Sequence, residues 1–257
     1  MRIGCLCVTE YRPHMLGISV AAFADQTHKD KHLVVVCNNR DAPAYRAAVN
    51  RALDGTPAGF FVSTLEGAGT VCARLDFGCS YLFNTLGCDA VVTWDDDEWR
   101  HPTFLSAVSD QLSSNKNWLI TGYLWGLYVN SRTLYAEDLS KYIMDPWGYW
   151  GASLTYRREA WNRHKFTGLP FPGYDPAFCK TFDKSVWAPP IDTDPFKQLS
   201  FCHDLNCYQH CRGGGFDLGP WLRKSENISP RAVNEVFRAQ QYFIDHNIEP
   251  PQVQGPY

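Results

Sequence analysis

The chain has 257 residues, of which 45% are hydrophobic and 20% are charged, so it can bury a full core and lacks the composition of a disordered protein. Its 24 basic and 27 acidic side chains give a formal net charge of −3, and there is no run of five or more like charges. This argues against a polyanion-binding protein that relies on bulk positive charge. We expect one domain, because a single core can grow to roughly 250 residues before chains tend to split.

Neither a membrane span nor a signal peptide is predicted. The longest strongly apolar stretch, residues 119–129, falls short of the ~18–20 residues that cross a bilayer. The apolar run at residues 3–8 turns polar at Thr9, which makes it too short for the core of a signal peptide. We therefore expect a cytoplasmic protein.

The ten cysteines fall into two kinds of context. Cys5, Cys7 and Cys37 lie inside apolar runs, which indicates small buried residues with free thiols. Five possible soft metal ligands cluster further on: Cys202, His203, Cys207, His210 and Cys211. Their spacing differs from the paired C-x2-C knuckles of structural zinc sites, so it does not favour a dedicated zinc site.

Strand and helix patterns alternate through the first hundred residues. Strand-like apolar runs occur at residues 3–8, 33–37, 59–63 and 90–94, and helix-like stretches lie between them at residues 15–24, 42–53 and 71–86. The run at residues 33–37 is continuously apolar and mostly β-branched, as in parallel strands that are buried on both faces. The alternation predicts an α/β protein with a parallel sheet.

The second half has a different character. Residues 104–112 have a helical pattern, whereas the aromatic-rich residues 118–151 contain period-2 stretches typical of antiparallel strands. Prolines and glycines crowd residues 169–195, which indicates long loops with a function. Residues 229–247 predict an amphipathic helix that begins with a proline in its first turn.

The most informative segment, Thr93-Trp94-Asp95-Asp96-Asp97-Glu98-Trp99, directly follows an apolar strand. In extended backbone, Asp95 and Asp97 can face one cleft while Asp96 turns to the other side. Carboxylates this close repel one another unless a cation sits among them, and oxygen ligands suit Mg²⁺ or Mn²⁺ ions that bridge to phosphate. A solvated acidic loop is the alternative, but open α/β sheets bind ligands at the carboxyl ends of their strands, which favours the metal site.

Five short motifs occur in order over residues 1–105. They are Val8-Thr9-Glu10-Tyr11-Arg12-Pro13, Asp25-Gln26-Thr27-His28, residues 33–39, Ala73-Arg74-Leu75-Asp76, and Asp95-Asp96-Asp97 followed by Pro102. They resemble, in the same order, the T-Y-N-R-P strand ending, the N-Q-T-Y segment, the second strand with its base-binding loop, the A-R-N helix segment and the D-x-D motif of the family 2 glycosyltransferases. The resemblance is weaker after residue 105.

The resemblance implies a single domain of the glycosyltransferase A (GT-A) type. This fold is α/β, with a Rossmann-like, mostly parallel sheet flanked by helices, a smaller antiparallel sheet on the acceptor side and a C-terminal helix. It implies a nucleotide-sugar-binding half at residues 1–105, an acceptor-binding half at 106–228 and a C-terminal helix and tail at 229–257. The implied activity is metal-dependent transfer of a sugar from a nucleotide-diphosphate sugar to a hydroxyl of a carbohydrate or other acceptor, with inversion.

Site residues follow from the same resemblance. Mn²⁺ or Mg²⁺ would be bound by Asp95, Asp97 and His203, the last within His203-Asp204-Leu205-Asn206, which resembles an H-x-x-N segment. The nucleotide-sugar would contact Thr9, Tyr11, Arg12, Asn38, Asn39, Arg74, Asp95 and Asp96. The family usually has an Asp where this chain has Asn38 and Asn39, so the nucleotide base stays open, although Asn can hydrogen-bond a pyrimidine edge.

Two carboxylates are candidates for the catalytic base. Residues 150–159 resemble the family's G-G-x-x-x-F-R-R-E segment, and residues 171–176 resemble the G-F-D stretch before its E-D pair. This puts Asp183 at the position of the base, with Asp175 as the second candidate. The structural alternative for either residue is a loop carboxylate that caps a helix.

Three other functions compete with this interpretation. A nucleotidyltransferase also pairs an α/β sheet with a D-x-D-like site, but usually has a Gly-rich basic loop near the first strand, and residues 9–14 contain no glycine. A glycosyltransferase acting on modified DNA bases is disfavoured by the lack of a basic stripe, so we do not expect a nucleic-acid partner. The intact pair of Asp95 and Asp97 argues against a catalytically inert carbohydrate-binding module. The sequence leaves the donor sugar and the acceptor open.

Overall fold

The computed structural model describes residues 1–10, 12–37, 42–53, 59–64, 70–124, 126–138, 149, 153–170, 173–191, 194–202, 216–224, 226 and 228–246. The strands are β1 (Ile3–Val8), β2 (Lys31–Cys37), β3 (Gly59–Thr64), β4 (Ala90–Thr93), β5 (Glu98–Arg100), β6 (Ile120–Thr121), β7 (Leu127–Asn130), β8 (Tyr135–Asp138), β9 (Thr155–Arg157), β10 (Gln198–Cys202) and β11 (Phe216–Asp217). The helices are α1 (Pro13–Ala24), α2 (Ala42–Leu53), α3 (Val71–Ser80), α4 (Phe104–Ser114), α5 (Arg158–Arg163), α6 (Tyr174–Lys180), α7 (Gly219–Lys224) and α8 (Pro230–Asp245).

The larger sheet has six strands in the order β3-β2-β1-β4-β9-β6. Its first four strands are parallel, whereas β9 is antiparallel to both β4 and β6. The predicted mostly parallel sheet is therefore confirmed. The parallel strands β1, β2, β3 and β4 all end at one edge of the sheet, which we call the carboxyl edge.

Side chains that alternate along the strands of this sheet pack into two hydrophobic clusters, one on each face. On β1, for example, Cys5 and Cys7 belong to one cluster, while Leu6 belongs to the other. Helices α1, α2 and α8 contribute to the first cluster, and α3, α5 and α6 contribute to the second. The result is a sheet covered on both faces, which explains why β1 and β2 are apolar almost throughout. Cys5, Cys7 and Cys37 are buried free thiols, as the sequence predicts.

The smaller sheet has five strands in the order β11-β8-β7-β10-β5. It is antiparallel apart from the parallel pair β7 and β10. Its strand β5 starts at Glu98, directly after the Asp95-Asp96-Asp97 motif, and β10 pairs with it so that Ser200 faces Glu98. The acidic motif thus lies at the junction of the two sheets.

Two helix predictions are sharpened by the structure. The predicted helix at residues 71–86 is α3 followed by a π-helical turn at Tyr81–Thr85. The predicted C-terminal helix is α8, where Ser229 caps the first turn by accepting a hydrogen bond from the Ala232 backbone at 3.1 Å. Among the described residues, no helix combines the length and the apolar character needed to cross a bilayer.

Candidate functional site

The acidic motif and the segment after β1 meet at the carboxyl edge. The backbone N–H of Trp94 donates to the Leu6 carbonyl at 2.8 Å, and that of Thr9 donates to the Val36 carbonyl at 3.0 Å. These bonds extend the strand pairing past the strand ends and fix the two segments side by side. Polar residues from separate parts of the sequence therefore converge on one place, as expected for a parallel sheet.

Asp96 is the fully buried member of the motif. Its side chain has no exposed surface and accepts a hydrogen bond from the Thr9 hydroxyl. The Arg12 guanidinium pairs with Asp96 at 2.7 Å and with Asp97 at 3.3 Å. The Tyr45 hydroxyl accepts the Arg12 backbone N–H at 3.0 Å. Thr9, Arg12 and Asp96, three of the predicted donor contacts, thus form one buried network.

Three carboxylates gather on the other side of the motif. Oxygens of Asp95, Asp97 and Glu98 all lie within 4.8 Å of one another. Asp95 and Asp97 both belong to this group, although the backbone at Asp96 and Asp97 forms a turn and is not extended. Glu98 joins them because the chain turns at Asp96 and Asp97 before β5 begins, and this turn breaks the alternation. Sequence reasoning missed Glu98, although its position next to the motif was the available signal.

Glu98 is fixed by the smaller sheet. Its carboxylate accepts hydrogen bonds from the Gln198 amide and the Ser200 hydroxyl, both at 2.6 Å. Both donors belong to β10, and only 4% of Glu98 is exposed. The buried guanidinium of Arg100 lies 3.9 Å from the Glu98 carboxylate. A second sheet therefore holds the third carboxylate against the first two.

Burial shifts the protonation of this cluster. It raises the pKa of Asp95 to about 7, and the charge of Asp97 adds to the effect. Burial also raises the pKa of Glu98 to about 8, against the opposing charge of Arg100. Both shifts arise mainly because burial removes the carboxylates from water, and neighbouring negative charges add to them.

The cluster fits a small divalent cation. Octahedral Mg²⁺ or Mn²⁺ has oxygen ligands at about 2.1 Å, so its ligand atoms are roughly 3.0–4.2 Å apart, within the spacing observed here. An all-carboxylate set is the hard ligand type that such ions prefer. Asp95, Asp97 and Glu98 are therefore the described residues that could hold the predicted metal.

Arg74, another predicted donor contact, is buried and paired. Its guanidinium forms a two-pronged ion pair with Glu10, with N···O distances of 2.9 and 3.3 Å. The Glu10 side chain is one-third exposed, while that of Arg74 is only 6% exposed. Of the two, Glu10 therefore presents more surface at the end of β1, and it was absent from the predicted site.

The segment that leads to Asp175 contacts the first turn of α3. After β9 the chain runs along α3, where Thr167 donates to Asp76 at 2.7 Å and the Cys72 thiol contacts the Leu169 carbonyl at 3.8 Å. Cys72 is in the first turn of α3, and Arg74 of the same helix pairs with Glu10, which follows β1 at the carboxyl edge. Helix α6 begins shortly afterwards, with Asp175 in its first turn. The turn into α6 uses Gly173, whose φ of 104° is readily adopted only by glycine.

Asp183 lies at the opposite edge. Three residues after it, the Val186 carbonyl accepts the Leu119 N–H at 2.7 Å, and the Leu119 carbonyl accepts the Arg157 N–H at 2.9 Å. Arg157 pairs with Ala90, the first residue of β4. Asp183 is therefore separated from the acidic motif by about the length of a strand, roughly 15 Å. Its exposed side chain caps a short 3₁₀ helix by accepting a backbone hydrogen bond at 2.8 Å.

Four predicted site residues lie outside the described residues: Tyr11, Asn38, Asn39 and His203. The last described residue before His203 is Cys202, at the end of β10. In the same strand the backbone N–H of Phe201 donates to the Asp97 carbonyl at 2.9 Å. The ligand role of His203 stays a prediction.

Solved glycosyltransferase structures share this architecture. A mannosyltransferase from Pyrobaculum calidifontis, solved with GDP-Man and Mn²⁺, superposes with a TM-score of 0.59 at 12% identity, covering 93% of this chain and 69% of that one. TarS of S. aureus, residues 1–349, gives a TM-score of 0.57 at 12% identity, covering 96% of this chain and 74% of that one. The same TarS fragment has been solved with UDP-GlcNAc (TM-score 0.51, 13% identity, 96% and 72% covered).

These likenesses show the fold, which is the GT-A type predicted from the sequence. No protein-family model matches the chain, and no curated protein matches it.

Proposed function

We propose that this protein is a metal-dependent glycosyltransferase that moves a sugar from a nucleotide-diphosphate sugar to an acceptor hydroxyl. The observation that carries the proposal is the cluster of Asp95, Asp97 and Glu98 at the carboxyl edge of a GT-A sheet. Two proteins that share the fold were solved with GDP-Man and Mn²⁺ and with UDP-GlcNAc. The division into a donor half at residues 1–105, an acceptor half at 106–228 and a C-terminal part at 229–257 belongs to the same proposal.

The chemistry follows from charge. Asp95, Asp97 and Glu98 would hold a divalent cation, which would neutralise the diphosphate leaving group as the glycosidic bond breaks. His203 completes the ligand set in this proposal. Arg12, anchored to Asp96, adds a second positive charge beside the same carboxylates.

Asp175 is our proposed catalytic base. An acceptor hydroxyl must lose its proton as it attacks, and a carboxylate within hydrogen-bond reach can take it. The contact of Leu169, five residues before α6, with the first turn of α3 supports Asp175, whereas Asp183 caps a turn at the other edge. Hydrogen bonds with Ser185 lower the pKa of Asp183, which also makes that carboxylate a weaker base. Direct attack on the donor would invert the anomeric configuration.

Thermal unfolding with a panel of UDP-, GDP-, dTDP- and CMP-linked sugars, each with and without Mn²⁺, tests the proposal. A donor that binds the folded state raises Tm, and a donor concentration of 100 times its Kd stabilises the folded protein by about 2.7 kcal/mol. We expect one nucleotide class to raise Tm only when Mn²⁺ is present. Sugar transfer from that donor to a hydroxyl acceptor, followed by NMR of the product anomer, then tests catalysis and inversion. A chain that none of the donors stabilises with Mn²⁺ would contradict the proposal.

A further inference from the structure

Arg12 is held among the acidic residues by several anchors. Its backbone N–H donates to the Tyr45 hydroxyl at 3.0 Å, and its carbonyl accepts the Met15 N–H at 3.0 Å at the start of α1. Its guanidinium reaches both Asp96 and Asp97. The backbone is therefore fixed, and the side chain retains 18% exposure at the edge where the donor is proposed to bind.

The two carboxylate contacts of Arg12 are unequal. Asp96 is fully buried, accepts the Thr9 hydroxyl and pairs with Arg12 at 2.7 Å. The contact with Asp97 is longer, at 3.3 Å, and Asp97 also belongs to the three-carboxylate cluster. Asp96 thus serves as the anchor of the guanidinium, and Asp97 is the partner that a cation would also bind.

Arg12 and the proposed metal share one carboxylate, Asp97, although the whole group balances the charge of both. When the four carboxylates of residues 95–98 are ionised, Arg12 and Arg100 leave two negative charges, which one divalent cation neutralises. A cation on Asp97 would lie within about 5 Å of the guanidinium, and like charges at that distance repel strongly in a buried site. Repulsion would be relieved if a diphosphate arrived with the metal, because its oxygens attract both cations.

We propose that Arg12 exchanges partners during donor binding: it neutralises Asp97 before the metal binds, then donates to the diphosphate once the cation occupies Asp97, while Asp96 holds it throughout. This inference rests on the proposed function, because it needs a cation and a diphosphate at the motif. Arg12 would therefore lower the affinity for the free metal ion and raise the affinity for the metal–diphosphate complex.

The test measures Mn²⁺ binding by the electron paramagnetic resonance signal of free Mn²⁺, with and without inorganic pyrophosphate as the probe. In Arg12→Gln we expect the affinity for Mn²⁺ alone to rise roughly 3–10-fold, because the competing charge is gone. We expect its affinity for Mn²⁺ with pyrophosphate to fall roughly 10-fold or more, because a charged contact to phosphate is lost. The opposite signs are the signature of the exchange.

Arg2→Gln is the matched control. Arg2 is also paired with an aspartate, at 2.9 Å from Asp30, but it lies before β1 at the other edge of the sheet. We expect this variant to bind Mn²⁺ like the wild type in both conditions. If Arg12→Gln does not fold, Arg12→Lys is tested in its place. Lysine keeps the positive charge but lacks the planar, two-pronged guanidinium, so Mn²⁺ alone should bind as in wild type, and pyrophosphate should raise the Mn²⁺ affinity less than in wild type.

The outcomes separate this inference from the proposed function. Wild-type protein that binds no Mn²⁺ would overturn both. If wild type binds Mn²⁺ and Arg12→Gln weakens binding in both conditions, or leaves both unchanged, the metal site stands and the partner exchange is wrong.

Discussion

The two edges of the six-stranded sheet use the same residue types in different surroundings. At the edge where the parallel strands begin, Arg2 pairs with Asp30 at 2.9 Å, and their side chains are 45% and 50% exposed. At the carboxyl edge, Arg12 pairs with Asp96 at 2.7 Å, and their side chains are 18% and 0% exposed. Water screens the first pair, whereas the second lies among further carboxylates with little solvent. Burial, not residue type, therefore distinguishes the candidate site from a surface ion pair.

The largest effect on metal binding and sugar transfer is expected from removing one carboxylate at the carboxyl edge. Asp97→Asn should abolish Mn²⁺ binding and lower sugar transfer by at least about 10³-fold, because the diphosphate loses its neutralising ion. Mn²⁺ titration and turnover with the identified donor measure both effects. Asp30→Asn, at the other edge, is the control and should leave both unchanged. Normal turnover of Asp97→Asn, or turnover of wild type in EDTA, would contradict the metal site.

Asp175, in the first turn of α6, and Asp183, three residues after that helix, offer a second contrast. Asp175→Asn should lower kcat by about 10²–10⁴-fold with little change in donor affinity, because a general base acts in the transition state. Asp183→Asn should keep kcat within about twofold, since its carboxylate caps a turn at the far edge. Steady-state kinetics of both variants decide between the two candidates. A loss confined to Asp183→Asn would return the base to the position that the sequence favoured.

A smaller effect on Mn²⁺ affinity is expected from a substitution in the smaller sheet. Ser200→Ala removes the hydroxyl that donates to Glu98 at 2.6 Å, and residues that orient a metal ligand typically contribute 10–100-fold to affinity. We expect Mn²⁺ to bind about 10-fold more weakly while the fold is retained. Ser114→Ala, on the exposed end of α4, is the matched control. Unchanged Mn²⁺ affinity in Ser200→Ala would remove Glu98 from the metal site.

The subtlest expected effect is a dependence of stability on pH. The folded-state pKa values of Asp95 and Glu98, about 7 and about 8, exceed the unfolded values near 4, so the folded protein binds more protons between these limits. Without metal, Tm should therefore fall as pH rises from about 5 to 8. Saturating Mn²⁺ should reduce or reverse this slope, because it favours the ionised carboxylates.

Thermal unfolding across that pH range measures the slope. The double variant Asp95→Asn with Glu98→Gln should flatten it, while the exposed Asp30→Asn should not. A metal-free slope that stays the same in the double variant would assign the pH dependence to other groups.

The predictability of the site follows from how local each signal is. The sequence predicts that Asp95 and Asp97 lie together from the alternation of an extended chain, whereas the structure brings them together across a turn at Asp96 and Asp97. The grouping of Thr9, Arg12 and Asp96 at one edge follows from parallel strands and could be anticipated in outline. Glu98 was missed because the turn before β5 reverses the alternation, and its partners Gln198 and Ser200 lie a hundred residues away.

Sequence patterns were enough to predict the alternating α/β architecture, the buried thiols, the C-terminal helix and the acidic motif at a strand end. Each of these features depends on sequence periodicity or on contacts between near neighbours along the chain. Two features depend on the tertiary structure: a second sheet holds Glu98, and Asp175 lies in the first turn of α6 while Asp183 caps a separate 3₁₀ helix. Neither feature follows from the local sequence, because the placement of β10 and α6 depends on pairing and packing with strands that are distant along the chain.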